Sequence, residues 1–317
     1  MSSSTSLAHI PVLLDAVIQA LQPADHKTYI DCTVGLGGHA QAILEASGPH
    51  SRLIGLDRDT ESLALAQERL HPYAPRWIGI HASFDHLTHI LKTQGIPSVD
   101  GILFDLGFSS YQIDSPQQGM SFRHEARLDM RFDQNAPIPT AWDYINRASP
   151  QELERIFRTY GEVPAAKRLA LAIARQRRLR SIDTTSQLAQ IITKELPYYL
   201  GHTVHPVAQV FQALRIAVND ELGQLQRALH QAATALAPKG RLVVISFHSL
   251  EDRIVKQFFL REASQCICPA ELPACRCSHH ASLRIVTKHP IFASSAEIND
   301  NHRARSARMR VAEKLDK

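Results

Sequence analysis

Nowhere in these 317 residues does an apolar run reach the ~20 residues that a membrane-spanning helix needs. The N-terminal stretch has no basic region ahead of its apolar run, and Asp15 interrupts that run, so no secretory leader is expected. Cysteine is scarce. Of five residues, four crowd between Cys266 and Cys277, which is not the framework of a secreted, disulfide-stapled fold. Neither sign of charge dominates: 35 Lys and Arg stand against 31 Asp and Glu, and a net charge of +4 is a mild bias towards anionic partners. What remains is ordinary globular material, 44% apolar and 21% charged, long enough for one large or two modest domains. A cytoplasmic location without membrane contact is the expectation.

Another absence is a glycine at position 40. Residues 28–59 read as strand, glycine turn, helix, strand, with the loop Gly35-Leu36-Gly37-Gly38-His39 at the turn. Glycines there admit positive φ and let a ligand approach where a Cβ would block it. A dinucleotide fingerprint would need a third glycine where the chain has Ala40. Asp57 ends the second strand, twenty residues beyond Gly37, where an acidic side chain can accept both ribose hydroxyls of an adenosine. Asp31 opens the pattern. Together these suit a nucleoside ligand without a pyrophosphate, such as S-adenosylmethionine; the plain alternative is a structural βα turn.

The alternation continues. A helix is expected over residues 60–70, a third strand over 77–83 with Phe84-Asp85 at its end, and a buried fourth strand over 99–105 ending in Asp105. Phe84 could cover an adenine face or be plain core, and Asp85 could take the adenine amino group. Ligands of open α/β sheets bind outside the carboxyl ends of the strands, so Asp31, Asp57, Phe84 and Asp105 should converge at one rim. Residues 141–200 are helical in pattern. Ser149-Pro150-Gln151-Glu152 reads as a helix start in which serine caps, proline takes the first turn and glutamate reaches back. Residues 165–180 carry Lys167, Arg168, Arg175, Arg177, Arg178 and Arg180 with no acid, which is either a solvated face or a phosphate-backbone contact. A long helix over 211–237, a stop at Pro238-Lys239-Gly240 and a strand over 241–247 restore the sheet pattern. The expected organisation is a nucleotide-binding domain in two parts, residues 1–112 and 213–317, interrupted by a helical module over 113–212. Short strands near 283–287 and 308–312 should close the sheet. Cys266-x-Cys268 and Cys275-x-Cys277 could hold a structural zinc, although C-x-C is tighter than the usual spacing, or could be free surface thiols.

These motifs resemble the bacterial family of ribosomal RNA small subunit methyltransferase H, also called MraW, over nearly the whole chain. The resemblance is carried by His9-Ile10-Pro11-Val12-Leu13-Leu14, Gly37-Gly38-His39, Leu56-Asp57-Arg58-Asp59 and Asp105-Leu106-Gly107-Phe108-Ser109-Ser110. It extends through Leu128-Asp129-Met130-Arg131, Tyr160-Gly161-Glu162, Phe211-Gln212-Ala213-Leu214-Arg215, Ser246-Phe247-His248-Ser249-Leu250-Glu251-Asp252-Arg253 and Arg303-Ala304-Arg305-Ser306-Ala307. Tyr111, Gln209 and His302 depart from the family pattern. The resemblance implies a Rossmann-like class I methyltransferase α/β sheet, mostly parallel, and transfer of a methyl group from S-adenosylmethionine to N4 of a decoding-centre cytidine in 16S rRNA. It implies cofactor contacts at Gly37, Gly38 and His39 for the methionine end, Asp57 for the ribose, and Phe84, Asp105 and Gln112 around adenosine and sulfonium. The inserted module would be the rRNA side, with Lys167, Arg168, Arg175, Arg178 and Arg215 as candidate contacts. The partner would be 16S rRNA or the small ribosomal subunit, with a homodimer left open.

The exocyclic amine of cytosine is a poor nucleophile, so catalysis should consist of holding N4 about 3 Å from the methyl. Asp105 is the candidate acceptor or orienter of the amine, with His248 and Ser249 behind it. The Asp/Asn-Pro-Pro-Tyr motif typical of amino-methylating enzymes is absent. A nicotinamide oxidoreductase and a non-catalytic RNA-binding factor are the rival classes, separable by ligand titration and by methyl transfer.

Overall fold

The computed structural model describes residues 10–107, 118–197, 205–269, 272 and 275–316. Two compact units divide the chain, Met1–Gly107 with Gln224–Lys317, and Phe108–Gly223.

The first unit opens with helix α1 (Leu14–Leu21) and then alternates β1 (Thr28–Asp31), α2 (Gly38–Ala46), β2 (Arg52–Asp57), α3 (Thr60–Leu70), β3 (Trp77–His81), α4 (Leu87–Thr93) and β4 (Val99–Asp105). The second unit contains α5 (Ala141–Arg147), α6 (Pro150–Gly161), α7 (Ala166–Leu179), α8 (Thr185–Glu195) and α9 (Pro206–Asn219). After α10 (Glu221–Ala235), the sheet resumes with β5 (Leu236–Ser246), α11 (Ser249–Glu262), β6 (Leu283–Ile285), α12 (Ser295–Asp300) and β7 (Arg308–Lys314).

The seven strands run in the order β3-β2-β1-β4-β5-β7-β6. β1 to β5 are mutually parallel, and β7 lies antiparallel to both β5 and β6. The chain lays down β1, β2 and β3 in one direction and β4 and β5 in the other, so the order reverses between β1 and β4. Both faces of the sheet are covered, which is why the strands read as continuous apolar runs rather than as alternation. Tyr29, Leu53, Leu103 and Val243 pack on α1, α2 and α3, while Ile30, Ile54, Ile102, Phe104 and Val244 pack on α4, α10 and α11. Each such side chain taken fully from water contributes roughly 1.5–3 kcal/mol.

The expected mostly parallel α/β sheet is present, with three local differences. The helix expected over 211–237 is two helices, because Asp220 takes left-handed φ 48° at the end of α9 and α10 restarts directly after it. Pro238-Lys239-Gly240 does not separate helix from strand; it is a bulge inside β5, where Val99 pairs Leu236 but Gly101 pairs Arg241. Lys239 at φ 64° makes the local kink. Glu152 does not reach back to its cap: Ser149 Oγ accepts from Glu152 N at 3.1 Å, but the Glu152 carboxylate pairs with Arg155 at 2.9 Å.

The second unit has its own core, built from Leu128, Met130, Ile156, Phe157, Leu169, Ile173, Leu188, Phe211 and Leu214 among others. Several residues that carried the family resemblance are its fasteners. Asp129 holds Arg131 through two 2.8 Å bonds. Buried Asn219 accepts from Phe132 N at 3.0 Å and donates to Met130 O at 2.7 Å. Gly161 lets α6 approach α9 so closely that a Cβ there would lie 2.7 Å from Gln209 O.

Candidate active site

The carboxyl ends of β1, β2 and β4 place three acids in the first unit. Asp31 is 1% exposed. Its Oδ1 accepts from Thr33 N at 3.1 Å, while its buried Oδ2 has no hydrogen-bond partner. Thr33 Oγ1 in turn accepts from Asp105 N at 2.7 Å, which ties the end of β4 to the turn after β1 across the point where strand order reverses. Asp105 is also mostly covered, and its Oδ1 is likewise buried without a partner. Orphaned carboxylate oxygens are costly unless something else completes them.

Burial, reinforced by the mutual repulsion of these acids, raises their proton affinities. Asp31 is pushed up to about 7, first by burial and then by Asp57. Asp57 is pushed up to about 6, again mainly by burial. Asp105 stands well above the ordinary carboxylate range through burial and the nearby Asp31 and Glu251. The rim is therefore a site that a cation would stabilise, since positive charge there favours the ionised forms.

Backbone N–H groups hold Asp57: Gly35 N donates to Oδ2 at 2.7 Å, Asp59 N to Oδ1 at 2.9 Å, and the Arg58 backbone also bonds the carboxylate. A carboxylate fixed in this way suits a pair of vicinal hydroxyls. Gly35 has φ 51°, and a Cβ there would meet only Thr33 O, at 3.8 Å.

The glycine loop does two different jobs. Gly37, at φ 80°, supplies the left-handed turn that starts α2. Gly38 is small for another reason than a ligand: a Cβ there would sit 2.4 Å from Pro11 Cγ, so the close approach is made by the N-terminal segment. His39 follows the same logic. It is 5% exposed, with Nε2 2.9 Å from Val12 O and Nδ1 3.5 Å from Asp105 Oδ2. A carbonyl only accepts, so Nε2 carries the hydrogen and Nδ1 is the nitrogen turned to Asp105. His39 is placed behind Asp105, joining it to the Pro11-Val12 segment.

Phe84 follows β3 in a short turn, half-buried and edge-on to Phe104 at 5.5 Å and 80°. Asp85 is turned towards Arg227, with Oδ2 accepting from Arg227 Nη2 at 2.9 Å and Nε at 3.1 Å. Gln112 lies outside the described residues. At the end of β5, His248 caps α11: its Nδ1 accepts from Glu251 N at 3.4 Å, and Glu251 Oε2 accepts from Phe247 N at 2.8 Å. His248 Nε2 is buried 3.1 Å from Glu251 Oε1 but is not aligned to bond it. Ser249 is the first residue of α11. Asp252 clasps Arg310 through bonds of 2.6 and 3.1 Å, so this cation of β7 is internally paired.

In the second unit, Lys167, Arg168, Arg175 and Arg178 are all on the exposed side of α7. Arg168 also donates to Glu195 O at the end of α8. Arg177 is turned inward, donating to Ile145 O at 2.7 Å and Ala148 O at 2.6 Å. Beside the exposed cations, α7 and α8 border a groove of about 280 Å³ lined by Gln176, Arg180, Gln187, Gln190 and Lys194. Arg215 departs from the expected set. It is 7% exposed and bound to Glu221 through bonds of 2.8 and 2.9 Å, so it braces the unit and offers no charge to a phosphate.

Sequence reasoning missed Thr33, Glu251 and the role of Pro11. Thr33 lies inside the pattern that begins at Asp31, and its signal was only a hydroxyl two residues after a strand-end acid. Among the described residues no helix is long and apolar enough to cross a membrane.

A profile of the MraW methylase family matches residues 6–315. A protein of Symbiobacterium thermophilum named ribosomal RNA small subunit methyltransferase H is 47% identical over 308 residues, covering 97% of this chain and 96% of that protein. A protein of the same name from Nitratidesulfovibrio vulgaris is 47% identical over 317 residues, covering 99% and 98%. A solved rRNA methylase from Streptococcus thermophilus covers 96% of this chain and 94% of its own, with a TM-score of 0.41 at 10% identity.

Proposed function

Because the chain belongs to the MraW methylase family, we propose that it is an S-adenosylmethionine-dependent rRNA methyltransferase acting in the cytoplasm on N4 of a decoding-centre cytidine of 16S rRNA. The observation that carries this reading is the pair of buried, unpartnered carboxylate oxygens, Asp31 Oδ2 and Asp105 Oδ1, at the strand-order reversal. A small cationic ligand with an ammonium or sulfonium balances the charge of these acids, and Asp57 beside Gly35 suits its ribose. The cofactor supplies, when bound, an electrophilic methyl group on sulfur.

The chain's own contribution is positioning and proton handling. Asp105 Oδ1 accepts an N–H of the target amine, which localises the nitrogen lone pair towards the methyl. The amine becomes acidic as it is methylated, so a weak acceptor suffices. His39 Nδ1 stands 3.5 Å behind Asp105 Oδ2 and shares the proton that Asp105 gains. Phe84 offers a ring at the rim for the adenine, and Gly37 shapes the turn that leads into α2. A target base must leave its stack to reach such a rim, so unstacked RNA is the expected form. Lys167, Arg168, Arg175 and Arg178 hold the RNA backbone, making the second unit the rRNA-recognition module.

The test is to incubate small subunits from a strain lacking the gene with methyl-labelled cofactor and to digest the RNA to nucleosides. Label in N4-methylcytidine is expected. Label only in a ring-carbon or ribose methyl overturns the amine assignment, and no transfer to RNA or subunit overturns the enzyme.

A further inference from the structure

Among the described residues, the four late cysteines form a reactive cluster that methyl transfer leaves unused. They lie between α11 and β6, in residues 263–282. Cys266 and Cys275 are exposed and Cys268 and Cys277 half-buried, so no apolar core gathers them. Yet their sulfurs all lie within 4.8 Å of one another. Cys266 and Cys275 are 3.4 Å apart, Cys275 and Cys277 3.6 Å, and Cys277 and Cys266 3.8 Å. Disulfides need about 2.05 Å, so none of these pairs is bonded. A tetrahedron with bonds of ~2.3 Å to zinc has sulfur–sulfur edges of roughly 3.8 Å, close to the separations seen.

The backbone around the sulfurs points the same way. Ile267 N donates to Cys277 Sγ at 3.4 Å, Cys268 N to Cys266 Sγ at 3.4 Å and Arg276 N to Cys268 Sγ at 3.3 Å. Such N–H donors matter most when the sulfurs are thiolates, because four thiolates around a divalent ion carry two surplus negative charges. The tight C-x-C spacing, which counted against a metal in the sequence, is met by folding the two pairs face to face.

We propose that Cys266, Cys268, Cys275 and Cys277 bind one structural zinc ion. All four positions are filled by protein, which leaves no open position for a substrate and makes the site a clip rather than a catalytic centre. The clip closes a connection whose described residues form neither helix nor strand. Its ends are already tied: Ser282 N donates to Glu262 O at 2.8 Å, and His279 Nε2 lies 2.9 Å from Arg261 O. Metal binding then supplies the cohesion that a buried core supplies elsewhere.

The full chain, purified under reducing conditions without chelator, should contain one zinc per chain by plasma mass spectrometry. Titration with a mercurial should release that zinc in step with four thiols, read by a metallochromic dye. Cobalt exchanged for zinc should show the thiolate charge-transfer and intense visible bands of a tetrahedral four-sulfur site. The Cys266→Ser/Cys275→Ser double variant should lose the metal while still binding S-adenosylmethionine. Wild-type protein with far less than one zinc and four freely reacting thiols overturns the proposal. Stoichiometric iron, zinc retained in the double variant, or paired disulfides in its place overturn it equally. The mercurial titration uses unaltered protein, so it decides the matter even if the variant fails to fold.

Discussion

At the rim of the first unit, Asp31, Asp57 and Asp105 are largely withdrawn from water, whereas along α7 of the second unit Lys167, Arg168, Arg175 and Arg178 face it. The two regions use charge in opposite ways. A buried carboxylate has few partners, a proton affinity far from its usual one, and a large cost if its surroundings are wrong. An exposed cation is hydrated, screened and interchangeable with its neighbours. Specific chemistry therefore belongs at the rim, and additive, salt-sensitive affinity on the helix. Arg215 belongs by sequence to the helical unit and by burial to the other category, which shows that depth decides the behaviour.

The sharpest way to break this contrast is at Asp105. Asp105→Asn should lower turnover by roughly 10²–10⁴-fold at saturating cofactor, the usual contribution of a positioned proton acceptor. Near-normal single-turnover rates would end its role. Arg215→Ala leaves Glu221 buried without its partner and should cost about 3–5 kcal/mol in urea unfolding. The salt dependence of RNA binding by its folded fraction should not change; a reduced slope would return Arg215 to the RNA face.

Asp31 tests the rim by pH. Its folded affinity of about 7 lies above the ordinary aspartate value of 3.8, so between these pH values the folded state keeps a proton that the unfolded state releases. This proton stabilises the fold at low pH, and its contribution is lost as pH rises through about 7. Asp31→Asn without cofactor should thus match wild type near pH 4 and exceed it at pH 8 by on the order of a few kcal/mol. In wild type, S-adenosylmethionine should bind more tightly as pH rises through the same range, and the product S-adenosylhomocysteine, which keeps the ammonium but lacks the sulfonium charge, should respond less. Equal slopes for the two ligands, measured by calorimetry, would show that the rim does not sense the sulfonium.

The helix should give the smallest effects. Any one of Lys167→Ala, Arg175→Ala or Arg178→Ala should weaken binding to small-subunit RNA only a few-fold. Combined, they should reduce the slope of log affinity against log salt by about one for each phosphate no longer neutralised. A single substitution that abolished binding would mean that one cation carries specific recognition.

Local pattern made much of this legible. Strand-end acids, the glycine turn and the apolar runs of β1, β2 and β4 are short-range signals, and the helix over Thr60–Leu70 and the strand over Val99–Asp105 begin and end where periodicity puts them. The break at Asp220 and the bulge at Lys239 were not legible, because a left-handed residue without glycine is set by the packing around it. Nor was Gly38, whose missing side chain answers to Pro11, far back in the chain.

The sequence by itself determined which residues could bear charge, turn the chain or bind metal, since composition and spacing along the backbone are its own properties. Only the tertiary structure decided which of them are dehydrated and which meet. It left oxygens of Asp31 and Asp105 without partners, shut Arg215 against Glu221 and drew four sulfurs together. The physical reason is that burial and proximity arise between segments distant in sequence, and these set proton affinity, ion pairing and ligand geometry more strongly than residue type does.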